Sequence, residues 1–137
     1  DKAPDWAEPQ QTIFIVGYPG NPGYSPYTPT LLESLFQSTF GYKRLAPGLV
    51  IPSQVAVSEW TVTHDATTLG GNSGSIVLVA GREHIAAGLH YGGRRDPSEN
   101  WGHILGLVMN QTDGHSAKTL QQYFEEFGVD LVDRKDN

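Results

Sequence analysis

The stretch that most limits what this chain can become is Thr67-Thr68-Leu69-Gly70-Gly71-Asn72-Ser73-Gly74-Ser75, which runs straight into the apolar Ile76-Val77-Leu78-Val79. Glycine reaches backbone angles that other residues avoid, so three glycines in five positions mark a tight loop. The apolar run behind it marks a short buried strand. A hydroxyl fixed in such a loop has a chemical use. Attack on an acyl carbon needs a nucleophilic oxygen, with N–H donors aimed at the oxygen that turns negative. Side chains would block the approach to those donors, and glycine has none. Ser73 is therefore the candidate nucleophile, and the amides of Gly71 and Ser73 are the candidate oxyanion donors.

The remainder of the chain favours an all-β fold. It has 137 residues, enough for one domain, with 16 Gly and 9 Pro among scattered short apolar runs. That pattern suits a turn-rich β protein. Net charge is −6, and no basic stripe is present to meet phosphates, which argues against a nucleic-acid partner. The chain has no cysteine, so disulfides, zinc–cysteine sites and thiol nucleophiles are excluded. Lack of cysteine suits a reducing cytosol, although secreted proteins can also do without it. No apolar run is long enough to span a bilayer, so no membrane partner is expected. The five histidines show neither His-x-His nor His-Glu-x-x-His spacing. No metal and no cofactor are expected.

Read in order, residues 1–11 form a polar linker or arm. Thr12 to Val16 is a buried strand. Gly17 to Pro29 is a loop whose prolines oppose strand pairing. Leu31, Leu32, Leu35 and Phe36 have helical spacing within Leu31 to Phe40. An extended segment from Tyr42 ends in a turn at Ala46-Pro47-Gly48. A bent strand is expected from about Gln54 to Thr63, and Ile76 to Val79 and Ile85 to Tyr91 form a hairpin-like pair. Trp101 to Val108 is the next strand. Ser116 is the expected cap of a helix carrying Leu120, Tyr123, Phe124 and Phe127, with Gly128 as its stop. Residues 133–137 are a tail. The expected domain therefore spans 12–132.

Two motifs carry a family resemblance. Gly71-Asn72-Ser73-Gly74-Ser75, preceded by Leu69-Gly70, is followed at a sensible separation by Gly88-Leu89-His90-Tyr91-Gly92-Gly93. Together they resemble the chymotrypsin-fold serine peptidases, in particular the bacterial trypsin-like and glutamyl-endopeptidase-like branches. Phe14-Ile15-Val16-Gly17-Tyr18-Pro19-Gly20 looks like the opening strand of that family's second barrel. The resemblance runs from about Thr12 to Val132 and is weakest between Asn21 and Ser53. It implies an antiparallel Greek-key β-barrel, the second of a chymotrypsin-like double barrel, with a C-terminal helix. The rival Gly-x-Ser-x-Gly elbow of α/β-hydrolases does not fit, because Ser75 stands at its last position and a strand follows the serine.

The resemblance also assigns roles. Ser73 would be the catalytic serine, with Gly71 and Ser73 as the oxyanion hole. The His and Asp that activate the serine lie in the family's first barrel, so a first-barrel segment or chain is the implied partner and this chain alone is expected to be inactive. Thr67 occupies the pocket floor, where trypsin-type enzymes place Asp, so a preference for Lys or Arg is not expected. Thr68 and His90 match positions that glutamyl-specific members use to hold a substrate carboxylate; the alternative is that His90 packs in its strand and the pocket takes a neutral residue. Tyr91, Gly92 and Gly93 would pair with the substrate strand. Asn72 replaces the Asp that pairs with a freshly cut N-terminus in trypsin-like zymogens, so activation by that route is not expected. His64-Asp65 reads as a turn with surface hydrogen bonds. The implied function is a serine endopeptidase half that cleaves a peptide or protein substrate. The alternative is a non-catalytic peptidase-like barrel that binds a peptide or a partner domain.

Overall fold

The computed structural model describes residues 2, 4–18, 28–36, 42–68, 73–94 and 99–132. Among these residues, six strands form one antiparallel sheet: β1 (Thr12–Gly17), β2 (Arg44–Leu49), β3 (Thr61–His64), β4 (Ile76–Val79), β5 (Ala86–Gly93) and β6 (Asn100–Ile104). The described residues also include three helices: α1 (Pro29–Phe36), α2 (Leu105–Val108) and α3 (Leu120–Glu126). The spatial order is β2-β1-β4-β5-β6-β3. The sheet curls like half a barrel until its two edges touch. Val50, just past β2, bridges His64 at the end of β3, the Ile51 amide donates to the Thr63 carbonyl at 2.9 Å and the Asp65 amide to the Leu49 carbonyl at 3.1 Å. The Asp65 carboxylate then accepts from the Leu49 amide at 2.7 Å.

Alternation decides which residues meet inside that curl, since successive strand residues face opposite ways. Ile13 and Ile15 of β1, Val77 and Val79 of β4 and Val62 of β3 are all buried and belong to one cluster with Val50, Ala66, Ala87 and Ile104. Trp6 is in the same cluster and is 1% exposed. The first residues are therefore not a loose linker. They are tied down by Trp6 and by the Gln10 amide, which donates to the Val50 carbonyl. A second cluster, Leu105, Val108 and Met109 with Trp60, Leu89, Leu120 and Phe124 against it, lies under the last helix.

Several boundaries differ from the sequence reading. The expected turn at Ala46-Pro47-Gly48 is continuous strand, with Pro47 opposite Phe14 and Gly48 opposite Ile13. Proline is tolerated because β2 is the last strand at that edge and has no ladder on its outer side there. Gly48 is required by a close approach, since a Cβ there would lie 2.6 Å from the Ala66 nitrogen. The strand expected from Gln54 shrinks to β3, and the one expected through Val108 breaks into α2 after Ile104. The last helix is capped by Thr119, not Ser116. The Thr119 side chain accepts from the Gln122 amide while the Gln122 side chain accepts from the Thr119 amide, a reciprocal box. Gly128, at φ 71°, ends the helix as expected. The candidate oxyanion residue Gly71, together with Asn72, the far end of the Leu31–Phe40 helix and the 133–137 tail, lies outside the described residues. Among the described residues, no helix is long and apolar enough to cross a membrane.

Candidate functional site

Ser73 and Gly74 form a turn that leads into β4, and both are exposed. Gly74 has φ 86°, the left-handed region that favours glycine. Two backbone hydrogen bonds clamp this turn to β5: Gly74 N–H donates to the His90 carbonyl at 2.7 Å, and His90 N–H to the Ser75 carbonyl at 2.8 Å. The clamp places the Ser73 hydroxyl against the next residue of β5, where it donates to the Tyr91 carbonyl at 3.3 Å. Gly74 has thus spent its amide on the sheet. The Ser73 amide has no partner among the described residues. A hollow of about 290 Å³ opens on the opposite flank, lined by Ser73, Gly74, Val16, Tyr18 and Lys43.

Strand β5 is irregular at this point. His90 pairs with Gly102 and Gly92 with Trp101, which leaves Tyr91 as an extra residue. Such a bulge bends a strand and re-aims its groups. Tyr91 is 40% exposed, and its ring stacks on His103 at 4.4 Å between centroids. A Cβ at Gly92 would meet nothing within 4 Å, whereas one at Gly93 would strike the Asn100 side chain at 2.2 Å. Gly93 is therefore held by packing, and Gly92 faces open space.

His90, by contrast, points inward and is 4% exposed. Its Nδ1 lies 3.3 Å from Nε2 of His64, which is itself fully buried. His64 is thus not a surface turn residue. It ends β3 opposite Asn100, and the curl of the sheet carries it across to β5. Burial first, and the neighbouring His90 second, lower the His64 pKa to about 3; burial lowers that of His90 to about 4. Both rings are therefore neutral near pH 7, and their tautomers follow. The Ala66 amide donates to His64 Nδ1 at 3.2 Å, so that nitrogen is bare and the proton sits on Nε2. His64 Nε2–H then donates to His90 Nδ1, which puts the proton of His90 on its own Nε2. That Nε2–H has no acceptor among the described residues.

The remaining pocket residues fall around this pair. Thr68 is 7% exposed and donates its hydroxyl proton to Asn100 Oδ1 at 2.8 Å. Asn100 in turn donates to the Ala66 carbonyl at 3.0 Å. Thr67 is half-buried beside it. Three of the sequence candidates, Ser73, His90 and Tyr91, are thus joined by direct hydrogen bonds or chain adjacency. Thr68 reaches the same region through Asn100. Sequence reasoning missed His64 and Asn100. The available signal was the in-facing parity that His64 shares with the buried Val62.

No histidine is hydrogen-bonded to Ser73 among the described residues, and no group of three His, Asp or Glu there could hold a metal ion. Fold and site together define a curled six-stranded antiparallel β protein with an exposed serine at one sheet end and a buried histidine pair beside it. No protein-family model matches the chain, and no curated protein is significantly similar to it.

Proposed function

We propose that the chain is the nucleophile-bearing half of a serine endopeptidase, the second Greek-key barrel of a chymotrypsin-like pair, completed by a first barrel that supplies His and Asp. The observation that carries this reading is the placement of Ser73: exposed, clamped to β5 through Gly74, with an amide that has no partner among the described residues and a hollow beside it. In the completed enzyme the Ser73 oxygen attacks the acyl carbon and its proton passes to the first-barrel histidine. Negative charge grows on the carbonyl oxygen, where the Ser73 amide and, by the sequence reading, that of Gly71 donate. The leaving amine takes the proton, and water then releases the acyl group by the reverse steps. Tyr91, Gly92 and Gly93 offer backbone groups for an antiparallel substrate strand, and the space at Gly92 keeps its mouth open.

The buried pair supports an acidic preference before the cut. His64 fixes His90 as a donor at Nε2, whose proton has no acceptor among the described residues. A substrate carboxylate there would accept that hydrogen bond and raise the His90 pKa, adding charge to it. The Thr68 hydroxyl would join by turning away from Asn100. Thr67 supplies no negative charge to bind Lys or Arg.

Labelling with a fluorophosphonate probe tests the reading. The assembled protein should label and its Ser73→Ala variant should not. Unlabelled assembled protein would favour the second reading, a non-catalytic barrel that binds a peptide or partner domain. One observation favours that alternative: Ser73 gives its proton to a backbone carbonyl, with no histidine bonded to it among the described residues. Cleavage profiling on a mixed peptide library should then show Glu or Asp before the cut, and His90→Phe should cut kcat/KM for such substrates by roughly 10- to 100-fold, the worth of one hydrogen bond to a charged group. Cleavage after Lys or Arg would overturn the pocket assignment.

A further inference from the structure

The proposed peptide chemistry uses one flank of Ser73 and leaves the other unassigned. Substrate residues before the cut lie towards β5, along Tyr91 to Gly93 and the His90 pocket. In the sheet, β4 separates β5 from β1 and β2. The hollow beside Ser73 is on that far side. Val16 and Gly17 at the end of β1, Tyr18 just after it, Ile76 at the start of β4 and Lys43 just before β2 all line it. A peptide that crosses Ser73 from β5 therefore brings to the hollow the residues that follow the cut. At about 290 Å³ the hollow is smaller than an ordinary small-molecule site of roughly 300–1,000 Å³. It suits one or two side chains of a longer chain.

Charge indicates which side chains. Lys43 is the one charged residue among those that line the hollow, and no Asp or Glu stands among them. It is exposed, so an occupant can reach it. It has no acidic partner among the described residues. A lysine ammonium is a compact cation with three donors on a flexible stem, which lets it follow a carboxylate over a range of positions. Tyr18 lines the same hollow and carries a further hydroxyl donor. The chain as a whole has net charge −6, so this corner reverses the prevailing sign. An acidic group after the cut is favoured there over a neutral or basic one.

We propose that Lys43 is a specificity-determining residue that selects an acidic side chain among the first residues after the cut. This rests on the peptidase reading for its sense of direction, but its test needs no cutting. The probes are two fluorescent peptides, alike except for Asp-Asp or Asn-Asn at the two positions after a single Glu. Fluorescence anisotropy follows their binding to the assembled Ser73→Ala protein, which leaves them intact. The Asp-Asp peptide should bind about two- to fivefold tighter, the worth of one exposed ion pair. Lys43→Met should equalise the two peptides, Lys43→Glu should reverse their order, and Lys43→Arg should keep it. Added salt should shrink the difference. This pattern together with no fluorophosphonate labelling of the parent would remove the catalytic reading and leave the acidic subsite standing. Labelling at Ser73 with no preference between the peptides would do the reverse. No binding of either peptide, equal binding, or a preference that survives Lys43→Met or ignores salt would overturn the assignment.

Discussion

At the scale of single residues, the decisive groups are one histidine the sequence presented as a pocket candidate, His90, and one it presented as ordinary, His64. His64 and His90 are buried neutral bases, and this has a consequence for stability. Their folded pKa values, about 3 and about 4, lie below the usual 6.5. Above pH 6.5 neither state binds a proton and the pair contributes no pH dependence. Below it the unfolded chain gains protons that the fold refuses, so stability falls as pH drops from about 6.5 towards 4, by up to roughly 1.4 kcal/mol per pH unit for each ring. Urea midpoints measured between pH 7 and pH 4.5 should fall accordingly, and His64→Phe should flatten the slope. A flat wild-type profile would contradict the buried pair. Glu99 acts in a lower window. Burial would raise its pKa, but hydrogen bonds from the Gln54 amide, Ser53 and Trp101 outweigh this and lower it. Its contribution is present above about pH 4.5 and is lost as pH falls through the depressed value.

At the scale of elements, the closure of the sheet depends on how closely β2 approaches the segment after β3. Gly48 sits where a Cβ would be 2.6 to 2.7 Å from three atoms of Ala66, two of them backbone. Backbone cannot yield as a flexible side chain does, so Gly48→Ala should destabilise the protein by roughly 1–3 kcal/mol, the cost of overpacking a core. Thermal melting measures it, and an unchanged melting temperature would show that the two edges are not held together as described. Gly92→Ala is the matched control: it meets no neighbour and should melt like the parent. The bulge at Tyr91 does the complementary work, bringing a backbone acceptor to Ser73 while His90 remains inside.

At the scale of the whole molecule, exposed apolar side chains collect beside the Ser73 hollow. Register places Leu45 opposite Val16 and Arg44 opposite Gly17, so Tyr18, Tyr42 and Leu45, each more than half exposed, lie along one end of the β1–β2 edge. Patches of this kind promote association. Size-exclusion chromatography of these 137 residues alone should therefore show dimers or larger species, and Leu45→Lys with Tyr42→Ser should shift them towards monomer. A clean, stable monomer of the parent would remove the need for a partner barrel at this face.

The sequence alone determined the strand character of Thr12 to Gly17 and Ile76 to Val79, the hairpin between β4 and β5, the terminal helix and the exposed turn at Ser73. In each case the deciding signal is local: β-branched runs, glycine in a left-handed position, helical spacing with a stop. Tertiary structure decided what spacing along the chain does not encode. It turned Pro47 and Gly48 into strand because an outer edge tolerates proline and a tight crossing demands glycine. It drew Trp6 into the core, and it brought His64 against His90, 26 residues apart, because curling the sheet sets residues of equal in-facing parity on distant strands side by side.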